Sequence, residues 1–226
     1  MRKNNIKIII LSMLINVVAA FGGNNVFSQT KFIEFKVGPV ISSPINSSLP
    51  EKDFKDVNDI VKPGITAGFS FDYRLKKYNF VRFCGELYYT GKGEKYKFND
   101  NQDFFNSTLC YLQFCPNVRL YVPGDLIYFG AGLYYGYAVT KDVVSDDFHQ
   151  SHELAENEYY KKNDYGARAS VGTEFGFNNI RFIAELAYEY GLADISNSKD
   201  VKVYNQSILL TIGCSIKLIH RGYRHY

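Results

Sequence analysis

Tryptophan is absent from this chain, methionine occurs twice, and six prolines and four histidines are spread over 226 residues. Each scarcity excludes something. The four cysteines, Cys84, Cys110, Cys115 and Cys214, follow neither the paired spacing of a zinc site nor that of a redox motif. With so few histidines, a metal or acid–base centre has few places to form. His149 and His152 (HQSH) lie beside Asp146, Asp147 and Glu153, where a spacing of three could ligate a metal only if the stretch were helical and a third ligand fixed. His220 and His225 fall in a basic C-terminal tail. The GKGEKYK stretch, residues 91–97, lacks the spacing and the strand-to-helix context of a phosphate loop. No cofactor or metal site is expected.

Long apolar runs are also missing beyond the N-terminus, where nothing approaches the ~18 consecutive residues of a membrane helix. The exception has its own logic. Arg2, Lys3 and Lys7 precede an apolar run, residues 8–21, and Val26 and Ser28 stand at the −3 and −1 positions of a cut before Gln29. That pattern predicts a signal peptide over residues 1–28 and a mature domain over 29–226. No cysteine lies near the cut to carry a lipid anchor. The first 28 residues hold three cations and no anion, so the formal +3 of the chain falls to zero without them. Nothing in that balance points to a nucleic-acid partner.

What the chain has in abundance is a period of two. In GITAGFSFDYRL, residues 64–75, Ile65, Ala67, Phe69, Phe71, Tyr73 and Leu75 alternate with Gly64, Thr66, Gly68, Ser70, Asp72 and Arg74. Successive side chains of a strand point to opposite faces, so this is a two-faced strand. The pattern recurs over 32–40, 80–90, 108–121, 126–139, 165–177, 180–190 and 207–218. Tight turns at 76–79, 123–124 and 178–179 alternate with polar stretches at 41–63, 91–107, 140–164 and 191–206. Val122-Pro123-Gly124-Asp125 suits a type II turn, and Asn178-Asn179 a two-residue hairpin loop. Pro116, lacking an N–H within a strand, predicts a bulge. The expected fold is all-β: an eight-stranded antiparallel up-and-down transmembrane barrel with four long extracellular loops and short periplasmic turns.

The apolar face carries no charged side chain in any strand. Lipid demands this, because one Lys or Arg at mid-bilayer costs roughly 2–4 kcal/mol. Glu34, Asp72, Arg74, Arg82, Glu86, Arg119, Arg168, Glu174, Arg181, Glu185 and Glu189 share the other face with Gly residues, and they predict a charge network filling the interior. Lys36 and Lys217 lie on it too. A two-residue loop at 178–179 sets Arg168 opposite Glu189; a three-residue loop at 76–78 would set Asp72 opposite Arg82. Cys84 and Cys115 point inward on neighbouring strands, as a disulfide or as small buried thiols. Tyr73, Tyr89, Tyr135, Tyr137, Tyr165, Tyr188 and Tyr190 fall near strand ends, as interfacial girdles would.

Those alternating segments resemble the outer-membrane β-barrel family common in Bacteroidetes, the PorT-like group, whose architecture is that of the small OmpA and OmpX barrels. The motifs are FKVGPVISSPI (35–45), GITAGFSFDYRL (64–75), FGAGLYYGY (129–137) and GARASVGTEFGF (166–177), and the resemblance spans 29–226. It implies a bacterial outer-membrane protein without catalytic residues, in contact with outer-membrane lipid. It further implies a structural or interaction role, with an accessory part in type IX protein secretion as one form of it. Other envelope or secretion proteins would be met through loops 41–63, 91–107, 140–164 and 191–206. The competing readings are a lipid-modifying outer-membrane enzyme, with His149 and His152 at its rim, and a soluble periplasmic lipocalin-like binding barrel.

Overall fold

A computed structural model describes residues 29–46, 57–60, 62–75, 78, 80–98, 104–145, 160–177, 179–197 and 202–218. The signal segment, His149, His152, His220 and His225 lie outside these residues. The strands are β1 (Gln29–Asn46), β2 (Val57–Ile60), β3 (Lys62–Leu75), β4 (Val81–Phe98), β5 (Phe104–Tyr121), β6 (Ile127–Ser145), β7 (Asn163–Phe177), β8 (Ile180–Gly191) and β9 (Val203–Leu218). All pairings are antiparallel. Leaving β2 aside, β1 pairs β3, each later strand pairs the next in sequence, and β1 pairs β9, so eight strands close on themselves. Closure leaves no sheet edge around the barrel, which is the condition for strands to cross a bilayer. β2 is a short extension that pairs only with the end of β4.

The alternation puts the apolar set outside. Phe35, Ile65, Phe71, Phe129, Leu133, Phe175, Phe182 and Ile212 are all exposed, while Glu34, Lys36, Arg82, Glu86 and Arg119 have no accessible surface. A water-soluble barrel would have to leave that continuous apolar belt in solvent and its charges in the core, the reverse of what water favours. The soluble binding-barrel reading is thereby set aside.

Three details differ from the sequence reading, and one open alternative is decided. The strands run on past the apolar segments: residues 41–46, 57–60, 62–63, 91–98, 104–107, 140–145, 163–164 and 203–206 are strand. In these extensions charged residues such as Lys92, Glu94, Asp142 and Asp164 interrupt the alternation although the backbone ladder continues. The turn after β3 is wider than three residues, with Val81 N–H donating to Tyr78 O at 2.9 Å, and Asp72 pairs with Cys84 while Arg74 pairs with Arg82. A slip of two residues preserves which face each side chain takes. The register shift lies at Cys110/Tyr111 and none occurs at Pro116, whose missing N–H coincides with a gap in the β5–β6 ladder. All four cysteines are free thiols.

At the turn between β5 and β6, Gly124 has φ 104° and Asp125 φ 56°, and Asp125 N–H donates to Val122 O at 3.1 Å. This is the Pro-Gly turn legible in the sequence, extended by one further left-handed residue. Phe177 pairs with Ile180, which leaves two residues between β7 and β8, and Arg168 faces Glu189.

Candidate functional site

The interior of the barrel is the densest assembly of polar chemistry in the molecule, and it has three storeys. The middle storey is ionic. Arg119, on β5, reaches Glu34 at 3.0 Å, Asp72 at 3.3 Å, Glu86 at 2.5 Å and Glu185 at 3.5 Å. Lys36 donates to Glu86 at 2.7 Å and to Glu185 at 3.1 Å. Arg168 bridges Glu185 and Glu189, both at 2.9 Å. Hydroxyl and amide donors complete the carboxylates: Ser70 to Glu34 at 2.8 Å, Tyr128 to Glu185 at 2.7 Å and Gln113 to Glu189 at 2.7 Å. Buried charges persist only when paired and hydrogen-bonded in this way.

The short-turn end is closed by stacked cations and rings. The Arg82 guanidinium lies 3.8 Å from the Tyr121 ring centroid and 4.9 Å from that of Phe32, and Arg181 approaches Phe32 from 4.9 Å. Glu174 ties the two arginines together, at 2.9 Å from Arg82 and 3.1 Å from Arg181. Arg82 also lies 3.5 Å from Asp72, diagonally rather than directly across the ladder.

Toward the long loops, Lys92 pairs with Glu189 at 2.9 Å and Asp164 at 3.4 Å, its ammonium 4.5 Å from the Tyr134 ring. Tyr134 and Asn205 donate to Asp164 at 3.2 and 3.0 Å. Above them Leu109, Tyr111, Ala138, Tyr160, Ala193, Ile195 and Val203 form a buried apolar cluster. The segments after β8 and before β7 are folded into it, with Lys161 N–H donating to Ile195 O at 2.7 Å and Ile195 N–H to Val203 O at 2.8 Å.

Interior glycines make room for interior tyrosines. Gly68 pairs with Tyr88, Gly172 with Tyr128 and Gly166 with Tyr134 across their ladders. A Cβ on Gly172 would collide with the Tyr128 ring, and one on Gly166 would lie 2.7 Å from Tyr134 Cε1. Rings laid over cross-strand glycines are a recurrent device of β-barrels.

Of the eleven interior residues named from sequence, the structure brings Glu34, Asp72, Arg82, Glu86, Arg119, Arg168, Glu174, Glu185 and Glu189 together, all buried, with Arg181 half-buried at the lower edge. Arg74 is different: it leaves the network and pairs with Asp125 at the short-turn rim. Lys92 and Asp164 are interior residues that sequence reasoning placed in loops, and Tyr88, Tyr128 and Tyr134 were not singled out. Their signal was available, because each tyrosine lies on the inward parity of its strand.

Tyr89, Tyr135, Tyr137, Tyr165, Tyr188 and Tyr190 are exposed on the outer wall toward the long loops. Tyr135 donates to Asn163 at 2.8 Å and Tyr188 to Gln206 at 2.9 Å. Tyr73, on the same outer parity, is only 8% exposed, so neighbouring side chains rather than open lipid surround it. Among the described residues no group of three or more His, Cys, Asp or Glu could hold a metal.

A closed eight-stranded wall, apolar without and ionic within, defines the class: a transmembrane barrel of the outer membrane. The family model described as "Outer membrane protein beta-barrel domain" matches residues 20–197, more than half of the chain, and the chain belongs to that family. Its place is therefore the bacterial outer membrane. Among curated proteins none matches. Similar solved structures include OprG from Pseudomonas aeruginosa, at 14% identity over 86% of this chain and 98% of that one, with TM-score 0.46. Neisserial surface protein A is 16% identical, covering 84% of this chain and 100% of its own, with TM-score 0.47. AlkL in lipid bilayers is 10% identical, covering 90% and 97%, with TM-score 0.45.

Proposed function

We propose that the protein is a closed, non-enzymatic component of the outer membrane that acts through what its long loops contact rather than through its lumen. The observation that carries this reading is the filled interior: an apolar cap, an ion-pair storey and an arginine–aromatic stack succeed one another along the axis. An eight-stranded barrel has a lumen only wide enough for its own side chains. Arg119 alone occupies four carboxylates there, leaving a permeating ion to displace bonded partners. The test is reconstitution of the full chain into planar bilayers. No discrete conductance steps are expected; regular steps would overturn the reading.

Two finer statements belong to the same proposal. Residues 1–28 are removed on export, a cut that coincides with the start of β1 at Gln29 and so leaves that strand whole; N-terminal sequencing of protein from outer membranes should begin at Gln29. The PorT-like resemblance supports an accessory role in type IX secretion. In a deletion strain, cargo should then accumulate in the periplasm with its C-terminal sorting domain uncleaved, and normal export would remove that role.

A further inference from the structure

The two ends of the barrel differ in charge. At the short-turn end stand Lys31, Arg74, Arg82, Arg181 and Lys217, each within two residues of its strand's turn-side end. Few carboxylates answer them. Asp125 holds Arg74, and Glu174 is shared between Arg82 at 2.9 Å and Arg181 at 3.1 Å. Asp72 lies 3.5 Å from Arg82 but belongs as much to Arg119, at 3.3 Å. Lys31 and Lys217 are exposed, and among the described residues no carboxylate pairs with either. Nor does the undescribed sequence at this end supply one, since positions 1–28, 76, 77, 79, 178 and 219–226 contain no Asp or Glu. The opposite end has the reverse balance: the four stretches 41–63, 91–107, 140–164 and 191–206 hold sixteen acids against eleven lysines.

The shortage of acceptors extends inward. Arg82 has no accessible surface, yet its hydrogen bonds to Asp72 and Glu174 use Nη1 alone. Its Nε and Nη2, and the hydroxyl of buried Tyr121 beneath it, have no partner among the described residues. A guanidinium carries five donors, and buried donors left open are costly. A carboxylate arriving at Arg181 would leave Glu174 to Arg82 alone.

Strand parity decides where such a carboxylate comes from. Lys217 pairs with Phe32 and Arg74 with Arg82, so Arg74, Arg82, Arg181 and Lys217 share the inner parity and surround the mouth. Lys31 alone is on the outer parity, level with Tyr73 and Leu218. Annular lipid meets the outer wall, so its headgroups do not reach the four inner cations. Short turns of such barrels face the periplasm, and a ligand for this mouth approaches from there along the axis.

We infer that the short-turn mouth is a docking face for an acidic segment of a periplasmic polypeptide, with Arg181 and Lys217 as its main contacts. This face is opposite to the long loops and independent of what they bind. The planar fork of arginine matches a carboxylate in two parallel hydrogen bonds. The same rim already shows the chemistry within the chain, where Arg74 holds the Asp125 carboxylate of a turn. A one-signed mouth also steers an acidic partner toward it.

The test uses the full chain in phosphatidylcholine nanodiscs, which leave both ends open to solution, with boiling-dependent gel mobility confirming that each variant is folded. The probes are a fluorescent peptide of Glu-Ser repeats and its Gln-Ser counterpart, followed by anisotropy. The Glu peptide should bind, more weakly as salt rises, and the Gln peptide should not. R181Q/K217Q should weaken binding by about tenfold or more, about 1.4 kcal/mol per decade. Arg181 also stacks on Phe32, so K217E, at an exposed position, is the second variant; it should weaken binding by about threefold, as a surface charge does. K162Q, at the opposite rim, should leave the affinity unchanged. Equal binding of both peptides, or undiminished binding by folded R181Q/K217Q, would overturn the assignment. Tighter binding of soluble muropeptides, or of phosphatidylglycerol added to the discs, through the same two residues would overturn it as well, giving the mouth to the cell wall or to lipid.

Discussion

At the scale of the residue, Arg119 is the side chain on which the interior depends most. Among the described residues the barrel buries seven carboxylates, Glu34, Asp72, Glu86, Asp164, Glu174, Glu185 and Glu189, against six cations, Lys36, Arg82, Lys92, Arg119, Lys141 and Arg168, with half-buried Arg181 paired to Glu174 as a seventh. The charges balance, and Arg119 alone faces four carboxylates, so its loss strands more charge than neutralisation of one acid. Arg119→Leu should destabilise the barrel by about 3–5 kcal/mol, the cost of breaking a buried pair from one side. Glu86→Gln should cost clearly less, as urea titrations of the two variants in the same micelle will show. A second prediction concerns volume. Gly172→Ala places a methyl group on the Tyr128 ring, and overpacking of this kind costs about 1–3 kcal/mol. Combining it with Tyr128→Leu should recover part of that loss, a coupling visible in a double-mutant cycle. The inward parity of these residues was legible, since period two assigns every side chain to a face. Their partners were not: Arg119 and Glu34 are 85 positions apart, and Lys36 and Glu185 are 149 apart. Such contacts cross the lumen, and sequence spacing along one strand carries no information about them.

At the scale of the element, strand identity was readable where lipid enforces contrast and unreadable where it does not. β4 continues through Lys92, whose ammonium lies in the lumen, because its ladder with β5 persists above the membrane. The segment following β8 shows what holds such parts in place. Asp194 accepts from Lys161 at 2.9 Å and from the backbone N–H groups of Ser196 and Val203, both at 3.1 Å. Slight burial opposes the charged form, but these donors outweigh it and hold the carboxyl below its ordinary 3.8. A depressed folded-state pKa contributes stability that is present above the unfolded value and lost as pH falls through the folded one. Hydrogen exchange at the Ser196 and Val203 amides should thus stay slow at neutral pH and accelerate only below the usual carboxylate range. In Asp194→Asn it should be fast throughout, with no such acid transition.

At the scale of the whole molecule, closure between β1 and β9 turns eight two-faced strands into a wall with an inside and an outside. A barrel so closed should migrate anomalously on SDS gels until boiled, and Arg119→Leu should lower the temperature at which that shift occurs. The sequence by itself determined the face of each strand residue, the strand count and the solvent of each face, because alternation is local and lipid excludes charge from one side absolutely. It also marked the Pro-Gly and Asn-Asn turns, whose backbone chemistry is written in the residues. Only the tertiary structure decided the register after β3, the continuation of the strands past the apolar segments, the apolar cap over the mouth and the partners of each interior charge. Each of these depends on which residues closure brings level around the ring, and that is fixed by the stagger of all eight strands together.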